Sequence, residues 1–191
     1  MKILIALFNF FLHTVFRIRY YGKEKIPKDG ALIICANHQS NWDSVILFLT
    51  LPRTPKFMAK KELFKNKFLA NFLKKNGAIP VDRQKPELKT MKECLYVLEN
   101  GEVLGIFPQG TRKKEIHVED SKTGIGFFSY KTNTPILPIK IESSYKIFSK
   151  VDLFVGDLIY PETDESLTSK ENYERISRKV MEDIKELGSG N

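Results

Sequence analysis

The stretch ALIICANHQSNWD, residues 31–43, decides the fold class. Its first six residues, 31–36, form a continuous apolar run, which is typical of a strand that is buried on both faces. A polar turn follows, and a helix is predicted from Trp42 to Leu51, ending before Pro52. A buried strand that leads directly into a helix is the unit from which mostly parallel sheets are built.

Short apolar runs alternate with amphipathic segments along the rest of the chain. Further strands are predicted over residues 55–59, 78–81, 103–107, 136–141 and 151–159. Further helices are predicted over residues 60–75, 86–100, 125–131 and 170–187. We therefore expect an α/β fold with a mostly parallel central sheet that helices cover on both faces. Sheets of this kind bind ligands beyond the carboxyl ends of their strands.

The composition is that of one ordinary globular domain. The 191 residues are 42% hydrophobic and 28% charged, which excludes a disordered chain, a collagen and a coiled-coil rod. The two cysteines, Cys35 and Cys94, are too few for a disulfide framework and lack the spacing of metal ligands. We expect both thiols to be buried and reduced, and we expect no metal site.

The positive charge is concentrated in one part of the chain. The net charge is +8, and residues 53–75 contain eight basic residues but only one acid, Glu62. A concentrated positive field suits a phosphate-bearing ligand or an anionic membrane surface. Charge alone would also suit nucleic acid, but the sequence has no zinc-finger spacing, RNP signature or basic zipper. We therefore expect no nucleic-acid partner.

The N-terminal apolar segment predicts contact with a membrane. Residues 3–16 would form a helix of about 21 Å at roughly 1.5 Å per residue, which is too short for a hydrocarbon core of about 30 Å. A secretory signal is an alternative, but no small-residue cleavage site follows. A helix packed on the domain remains a second alternative. We favour an amphipathic helix in the membrane interface, with nearby basic side chains at anionic headgroups, namely Arg17, Arg19, Lys23 and Lys25.

This interpretation divides the chain into two parts. Residues 1–20 are predicted to form the N-terminal membrane-associated helix, and residues 21–191 a single α/β domain. The expected location is peripheral, on the cytoplasmic face of the cell membrane. A second membrane-contacting helix is indicated over the lysine-rich residues 60–75, where Phe64, Phe68 and Phe72 recur every four residues. A solvated helix with this stripe in the core explains the same periodicity.

The turn after the first buried strand carries the strongest catalytic candidates. His38 ends the strand and Asp43 begins the helix, so the intervening turn can bring the two side chains together. An aspartate that binds one imidazole nitrogen fixes the tautomer and makes the other nitrogen a better base. Ser40 and Asp43 also have the spacing of a helix capping box, so Asp43 alone could have a structural role, or could serve both purposes.

The Asn-His-x4-Asp pattern resembles the first motif of the glycerophospholipid acyltransferases, the group that includes PlsC-like 1-acyl-sn-glycerol-3-phosphate acyltransferases. Three further motifs follow in the family's order, and they are GAIPVDR at residues 77–83, FPQGTR at 107–112 and PILPI at 135–139. The segments FMAKKEL at 57–63 and KTG at 122–124 are also similar to the family's pattern. One motif alone is a weak signal, whereas four in order are a strong one.

The resemblance implies a reaction and a role for each motif. A fatty acyl group would move from a thioester, acyl-ACP or acyl-CoA, to the free hydroxyl of 1-acyl-sn-glycerol-3-phosphate (lysophosphatidic acid), giving phosphatidic acid. His38 would be the general base and Asp43 would orient it. No metal or redox cofactor would be needed. The residues expected to bind the acceptor phosphate are Arg83, Arg112, Lys60, Gly110 and Thr111, and Gln109 is expected to be a further substrate-binding residue.

One departure from the family's pattern bears on substrate binding. Gln109 stands where the third motif usually has glutamate. Glutamine still accepts hydrogen bonds, but it carries no charge and cannot form an ion pair with an arginine.

Three alternatives stay open at this stage. A serine or cysteine nucleophile could replace direct transfer, with Ser40, Ser44 and Cys35 nearby. The acceptor could be another lyso-lipid. The chain could instead be a non-enzymatic basic module that binds membranes or nucleic acid, with the His-x4-Asp pattern serving only as a helix cap.

Overall fold

The chain folds around one seven-stranded sheet. The structure, a computed structural model, describes residues 10–82 and 87–189. The strands are β1 Arg17–Tyr21, β2 Leu32–Ala36, β3 Lys56–Lys60, β4 Ile79–Val81, β5 Val103–Ile106, β6 Ile136–Ser143 and β7 Lys150–Val155. The helices are α1 Asn41–Thr50, α2 Lys67–Lys75, α3 Leu88–Glu99, α4 Gly124–Thr132 and α5 Ser169–Glu186, and short 3₁₀ turns occur at Lys23–Lys25, Lys61–Lys65 and Val118–Asp120.

The sheet is parallel except at one pair of strands. Its order is β1-β7-β6-β2-β5-β3-β4, and only β6 and β7 run antiparallel to each other. The predicted mostly parallel sheet is therefore confirmed. The carboxyl ends of β2, β3, β4, β5 and β6 lie along the same edge, because these strands are mutually parallel.

Two apolar cores, one on each face, explain why β2 is apolar throughout. Leu32 and Ile34 belong to the core that contains Ile46 and Leu47 of α1. Ile33 and Cys35 point to the opposite core, which α3, α4 and α5 cover. Side chains alternate between the faces of a strand, so a strand with helices on both sides needs apolar residues at every position. The predicted helical cover on both faces is confirmed.

The packing of α4 against α5 requires a glycine. A Cβ atom on Gly126 would lie 2.0 Å from the backbone oxygen of Tyr173 in α5. The Gly126 amide also donates to Ser177 Oγ at 3.0 Å. Thr168 and Glu171 form a capping box at the start of α5, which aims the helix at this contact.

The N-terminal prediction is not confirmed. Residues 1–9 lie outside the described part of the chain, residues 10–15 are helical, and Leu12 is fully buried in the core. Arg19, expected near lipid headgroups, belongs to β1 and pairs with Asp152 of β7 at 2.5 Å. The boundary expected after residue 20 falls inside β1, and the division into a helix and one domain stays a prediction. Within the described ranges, no helix combines the length and apolar character needed to cross a bilayer.

Most predicted elements end within two residues of the observed ones, but two differ by more. The single helix expected over residues 60–75 is wrong, because the chain forms a 3₁₀ turn and then α2, with the Asn66 side chain capping α2 by accepting from the Leu69 amide at 3.1 Å. Strand β7 ends at Val155 and does not continue to residue 159. At the next position, a Cβ atom on Gly156 would lie 2.8 Å from the Pro138 ring, so the chain passes too close for an ordinary side chain.

Candidate active site

The polar turn between β2 and α1 is held in place at both ends. Where β2 ends, the Asn37 side chain donates to Ile141 O at 3.0 Å and accepts from Ile141 N at 2.7 Å, which fixes the turn against β6. Where α1 begins, Ser40 is the N-cap residue and its hydroxyl accepts from the Trp42 amide. The turn therefore has a defined shape, and the side chains that it carries have defined positions.

This turn brings His38 and Asp43 into direct contact. Nδ1 of His38 lies 2.9 Å from Oδ2 of Asp43. The same carboxylate oxygen accepts from the amides of Gln39 at 2.6 Å and Ser40 at 2.7 Å. Asp43 is 0% exposed, and these donors compensate for the burial of its charge. Asp43 therefore caps α1 and orients His38 at the same time.

A stack of three rings holds the imidazole from its flat side. The His38 ring lies 4.1 Å from the Phe107 ring at an interplanar angle of 18°, and the Phe107 ring lies 5.3 Å from the Phe57 ring at 9°. Gly105 leaves room for Phe57, since a Cβ atom there would lie 2.3 Å from the Phe57 ring. With Nδ1 bound to Asp43 and the ring fixed, Nε2 is the nitrogen left to meet a substrate; the described residues include no hydrogen-bond partner for it.

Sequence reasoning missed Tyr145, which also contacts Asp43. The Tyr145 hydroxyl donates a hydrogen bond to Oδ1 of Asp43, the oxygen that His38 does not use. Tyr145 lies in the turn between β6 and β7, 102 residues from Asp43 in sequence, and no spacing or motif connects the two. Burial and the adjacent carboxylate raise the pKa of the Tyr145 phenol, so it keeps its proton at neutral pH.

The predicted cationic residues lie at the same edge of the sheet as His38, as far as they are described. Lys60 ends β3, is half-exposed and lies 3.4 Å from Glu62. Arg112 follows β5 and is exposed, and the next amide, of Lys113, donates to His38 O at 2.8 Å. This hydrogen bond connects the residue after the third motif to the first motif. Arg83 lies outside the described residues.

The two predicted backbone donors differ in availability. The Gly110 amide donates to Phe107 O at 3.0 Å, so the turn itself uses it. The Thr111 amide has no partner within the described residues, so it is the one left for a ligand. Gly110 has a φ of 66°, and a Cβ atom there would lie 2.8 Å from the Lys122 side chain. Glycine therefore allows Lys122 to cross the turn beside the site.

Gln109 acts as a tether in this loop. It is 3% exposed, and its Nε2 donates to Glu115 O at 3.0 Å. A glutamate could not make this bond in its charged form, because a carboxylate only accepts. The Oε1 atom of Gln109 is buried without a hydrogen-bond partner in the described structure.

A cavity of about 460 Å³ begins beside the ring stack. Phe107 lines it, and most of the other lining side chains are apolar, including Ile125, Phe127 and Phe128. Lys122 and Gly110 line the part that belongs to the loop after β5. The apolar cavity therefore borders the Phe107 ring that stacks on His38, while His38 itself is not one of the described residues that line it.

The alternative nucleophiles are poorly placed. Cys35 is 0% exposed within β2, and burial raises the pKa of its thiol far above the usual range. The Ser40 hydroxyl caps α1, and the Ser44 hydroxyl donates to Asn41 O at 3.2 Å. Neither serine is hydrogen-bonded to His38 in the described structure, as an activated nucleophile would be.

Comparisons with known proteins give the family of the chain. A family model described as acyltransferase matches residues 17–142. The 1-acyl-sn-glycerol-3-phosphate acyltransferase of Bacillus subtilis is 34% identical over 177 residues, which are 89% of this chain and 87% of the relative. The Streptococcus pneumoniae enzyme of the same name is 35% identical over 123 residues, and this alignment covers 63% of this chain and 45% of that enzyme.

A solved structure has the same fold. The crystal structure of the 1-acyl-sn-glycerophosphate acyltransferase PlsC from Thermotoga maritima matches with a TM-score of 0.66 and 26% identity, over 93% of this chain and 76% of that one. The matched family model covers the His38–Asp43 pair, the loop after β5 and most of β6. On its fold, its site and these relatives, the chain belongs to the acyltransferase family.

Proposed function

We propose that this acyltransferase moves a fatty acyl group from an acyl thioester to the free hydroxyl of 1-acyl-sn-glycerol-3-phosphate, giving phosphatidic acid. The names of its relatives support this acceptor. The observation that carries the mechanism is the 2.9 Å contact between His38 and Asp43 at the edge of the sheet where cationic residues and an apolar cavity meet. A lysophosphatidic acid has the matching acceptor groups, a hydroxyl and a phosphate, and the cavity is left for the acyl chain of the thioester donor.

In this mechanism His38 is the general base. Nε2 takes the proton from the acceptor hydroxyl as its oxygen attacks the thioester carbonyl. Asp43 holds the tautomer that leaves Nε2 free and stabilises the imidazolium that forms. The imidazolium then returns its proton to the departing thiolate. Proton transfer by a positioned group typically contributes about 10²–10⁴-fold, so binding and orientation of the substrates supply the rest.

The acceptor phosphate would bind at the loop after β5. The Arg112 guanidinium is exposed and matches phosphate oxygens in pairs, and the Thr111 amide lies beside it. Lys60 and Arg83 are the further cations that we assign to the phosphate, while Gln109 holds the loop in shape. Arg112→Ala is expected to raise the KM for the acceptor far more than the KM for the donor. Unchanged acceptor kinetics would remove this assignment.

The apolar cavity suits the acyl chain of the thioester donor. Its 460 Å³ is within the range of ordinary ligand sites, and Phe107 links it to the His38 ring. Placing the chain there would bring the thioester carbonyl toward Nε2.

We propose direct transfer between the two bound substrates. The buried Cys35 thiol and the engaged serine hydroxyls support this route over an acyl-enzyme. Rapid mixing with the donor alone should release no burst of free thiol. A burst equal to the enzyme concentration would establish the covalent route instead. The chemistry needs only proton transfer and charge binding, so we propose that no metal or redox cofactor takes part, and activity should survive dialysis against EDTA.

The reaction would take place at an anionic membrane surface, with the protein bound peripherally on the cytoplasmic side. Helix α2 supports this, because Phe68 is 92% exposed and Phe72 is 48% exposed on a lysine-rich helix. Apolar side chains flanked by cations fit the headgroup region of a bilayer. Phe68→Ser should weaken binding to anionic vesicles, whereas Tyr96→Ser, at an exposed aromatic residue of α3, should not. Equal effects of the two substitutions would argue against α2 as the contact.

The central test is a donor-by-acceptor matrix on purified protein with anionic vesicles. Thiol release from acyl-ACP or acyl-CoA is expected only when lysophosphatidic acid is added. His38→Ala should abolish it while the protein stays folded. His117→Ala is the matched control, because His117 is exposed and contacts only Glu115 among the described acids. Full activity of His38→Ala would refute the proposed base, and preference for another lyso-lipid would change the acceptor.

A further inference from the structure

The turn between β6 and β7 reaches into the catalytic pair from a distant part of the chain. Residues 144–149 form this turn, and Tyr145 in it donates a hydrogen bond to Oδ1 of Asp43. Tyr145 has a backbone φ of 53°, in the left-handed region that residues other than glycine seldom adopt. Such backbone conformations persist where the surrounding structure imposes them, and they are concentrated at functional sites.

We propose that Tyr145 is a positioning residue for the His38–Asp43 pair, which fixes the plane of the Asp43 carboxylate and thereby the direction of the His38 ring. This inference rests on the proposed function, because it concerns the base assigned there. Tyr145 touches neither reacting atom in this role and acts through Asp43.

The distribution of hydrogen bonds on Asp43 carries the argument. Oδ2 accepts from three donors within residues 38–40, which all lie on one side of the carboxylate. A carboxylate held by one oxygen can still turn about its bond to Cβ. Tyr145 supplies the only hydrogen bond that the described residues make to Oδ1, and thus the second anchor. Two anchored oxygens define a plane, and the bond from Oδ2 to His38 Nδ1 follows that plane.

Tyr145 is itself well fixed. Its ring meets the edge of the Phe16 ring at 5.9 Å with an interplanar angle of 87°, and Phe16 packs on Trp42 of α1 at 5.5 Å. Its amide donates to Ser143 Oγ at 3.0 Å. The turn is also tied to the N-terminal helical segment, since the Phe148 amide donates to Val15 O at 2.7 Å. Because these contacts fix the Tyr145 side chain, its hydroxyl can in turn fix the orientation of the Asp43 carboxylate.

Tyr145 also holds Asp43 by its side chain, as His38 does. His38 and Tyr145 are the titratable side chains that hydrogen-bond to Asp43 in the described structure, and the remaining donors are backbone amides. Removing the Tyr145 hydroxyl therefore leaves Oδ1 without a donor among the described residues, and the carboxylate can turn away from His38 Nδ1.

The test is Tyr145→Phe, which removes one oxygen and keeps the ring. We expect kcat to fall about tenfold, in line with the loss of a hydrogen bond to a charged group. The KM values for donor and acceptor should not change, because Tyr145 acts through Asp43 and binds neither substrate. Tyr20→Phe is the matched control, because Tyr20 also donates or accepts one side-chain hydrogen bond, with Thr50, away from the site. It should keep the wild-type kcat.

A double-mutant cycle separates positioning from a general structural effect. In an Asp43→Asn background, Tyr145→Phe should cause little further loss of kcat, because the group through which it acts has already changed. An equal tenfold loss in both backgrounds would overturn the proposal, and so would a wild-type kcat in the single variant. If His38→Ala is inactive while Tyr145→Phe is fully active, only this inference fails. If His38→Ala is active, the proposed function fails first.

Discussion

Gly105 offers a direct test of whether the ring stack supports catalysis. In Gly105→Ala the new Cβ would lie 2.3 Å from the Phe57 ring, whereas ordinary contact begins near 3.4 Å. The ring must therefore move by about 1 Å. Phe57 stacks on Phe107, and Phe107 stacks on His38, so the movement is transmitted to the imidazole.

Two magnitudes follow from this displacement. Overpacking of a core by one methyl group costs roughly 1–3 kcal/mol of the free energy of unfolding, which corresponds to a Tm lower by about 2–12 °C for a chain of this size. A misplacement of about 1 Å at a catalytic group can cost about 10²-fold in rate. We therefore expect kcat for acyl transfer to fall by up to about 10²-fold at a temperature where the variant is still folded.

The assay is thiol release under saturating donor and acceptor, with Tm measured by circular dichroism on the same samples. Phe57→Leu in the Gly105→Ala background removes the clash but also removes one ring of the stack. The double variant should therefore recover Tm relative to Gly105→Ala while kcat stays low. A Gly105→Ala protein with the wild-type Tm and kcat would show that the stack does not transmit the displacement. A double variant that recovers kcat together with Tm would show that the Phe57 ring is not needed for catalysis.

Three further outcomes are expected. Gly126→Ala should destabilise the protein by at least about 1–3 kcal/mol in urea denaturation, because its Cβ would meet the backbone of α5 at 2.0 Å, while Gly124→Ala in the same helix has nothing within 4 Å and should be nearly neutral. Burial raises the pKa of the Tyr20 phenol to about 12, so the folded state holds this proton more tightly than the unfolded chain. The free energy of unfolding should then fall by roughly 2–3 kcal/mol as the pH rises from about 10 to about 12, and this fall should be smaller in Tyr20→Phe. Gln109→Glu should lower stability by about 1–3 kcal/mol, more at neutral pH than near about pH 4, because only the protonated carboxyl can donate to Glu115 O; equal stability at both pH values would contradict this.

The sequence predicted the His38–Asp43 contact because the contact is local. A strand, a turn and a helix start within a few residues bring the two side chains together, and both hydrogen bonding and capping follow from the same segment. Tyr145 escaped prediction for the opposite reason. Its contact with Asp43 depends on the order of strands in the sheet and on the conformation of one turn, neither of which periodicity reports.

Strand β1 shows a signal that was present and misinterpreted. Its sequence RIRYY alternates in exposure along the strand, as expected at the edge of a sheet. Because Arg17 and Arg19 follow an apolar segment, the sequence favours contact with lipid headgroups for both. Arg19 instead pairs with Asp152 across the β1–β7 contact. Similarly, the regular spacing of the phenylalanines in residues 64–72 predicts one helix. In the structure Asn66 instead caps α2 and separates it from the 3₁₀ turn before it.

The reversal of direction between β6 and β7 determines which loops can vary in length. A parallel β7 would need a crossover of about a dozen residues or more and would start at the far edge of the sheet. The antiparallel arrangement needs only residues 144–149 as a connection. It places them at the edge of the sheet that also carries His38. An insertion in this short connection would displace Tyr145 from Asp43, whereas an equally long insertion before β5, at the opposite edge, would leave that contact alone. Engineering by loop grafting or circular permutation should therefore spare the β6–β7 connection.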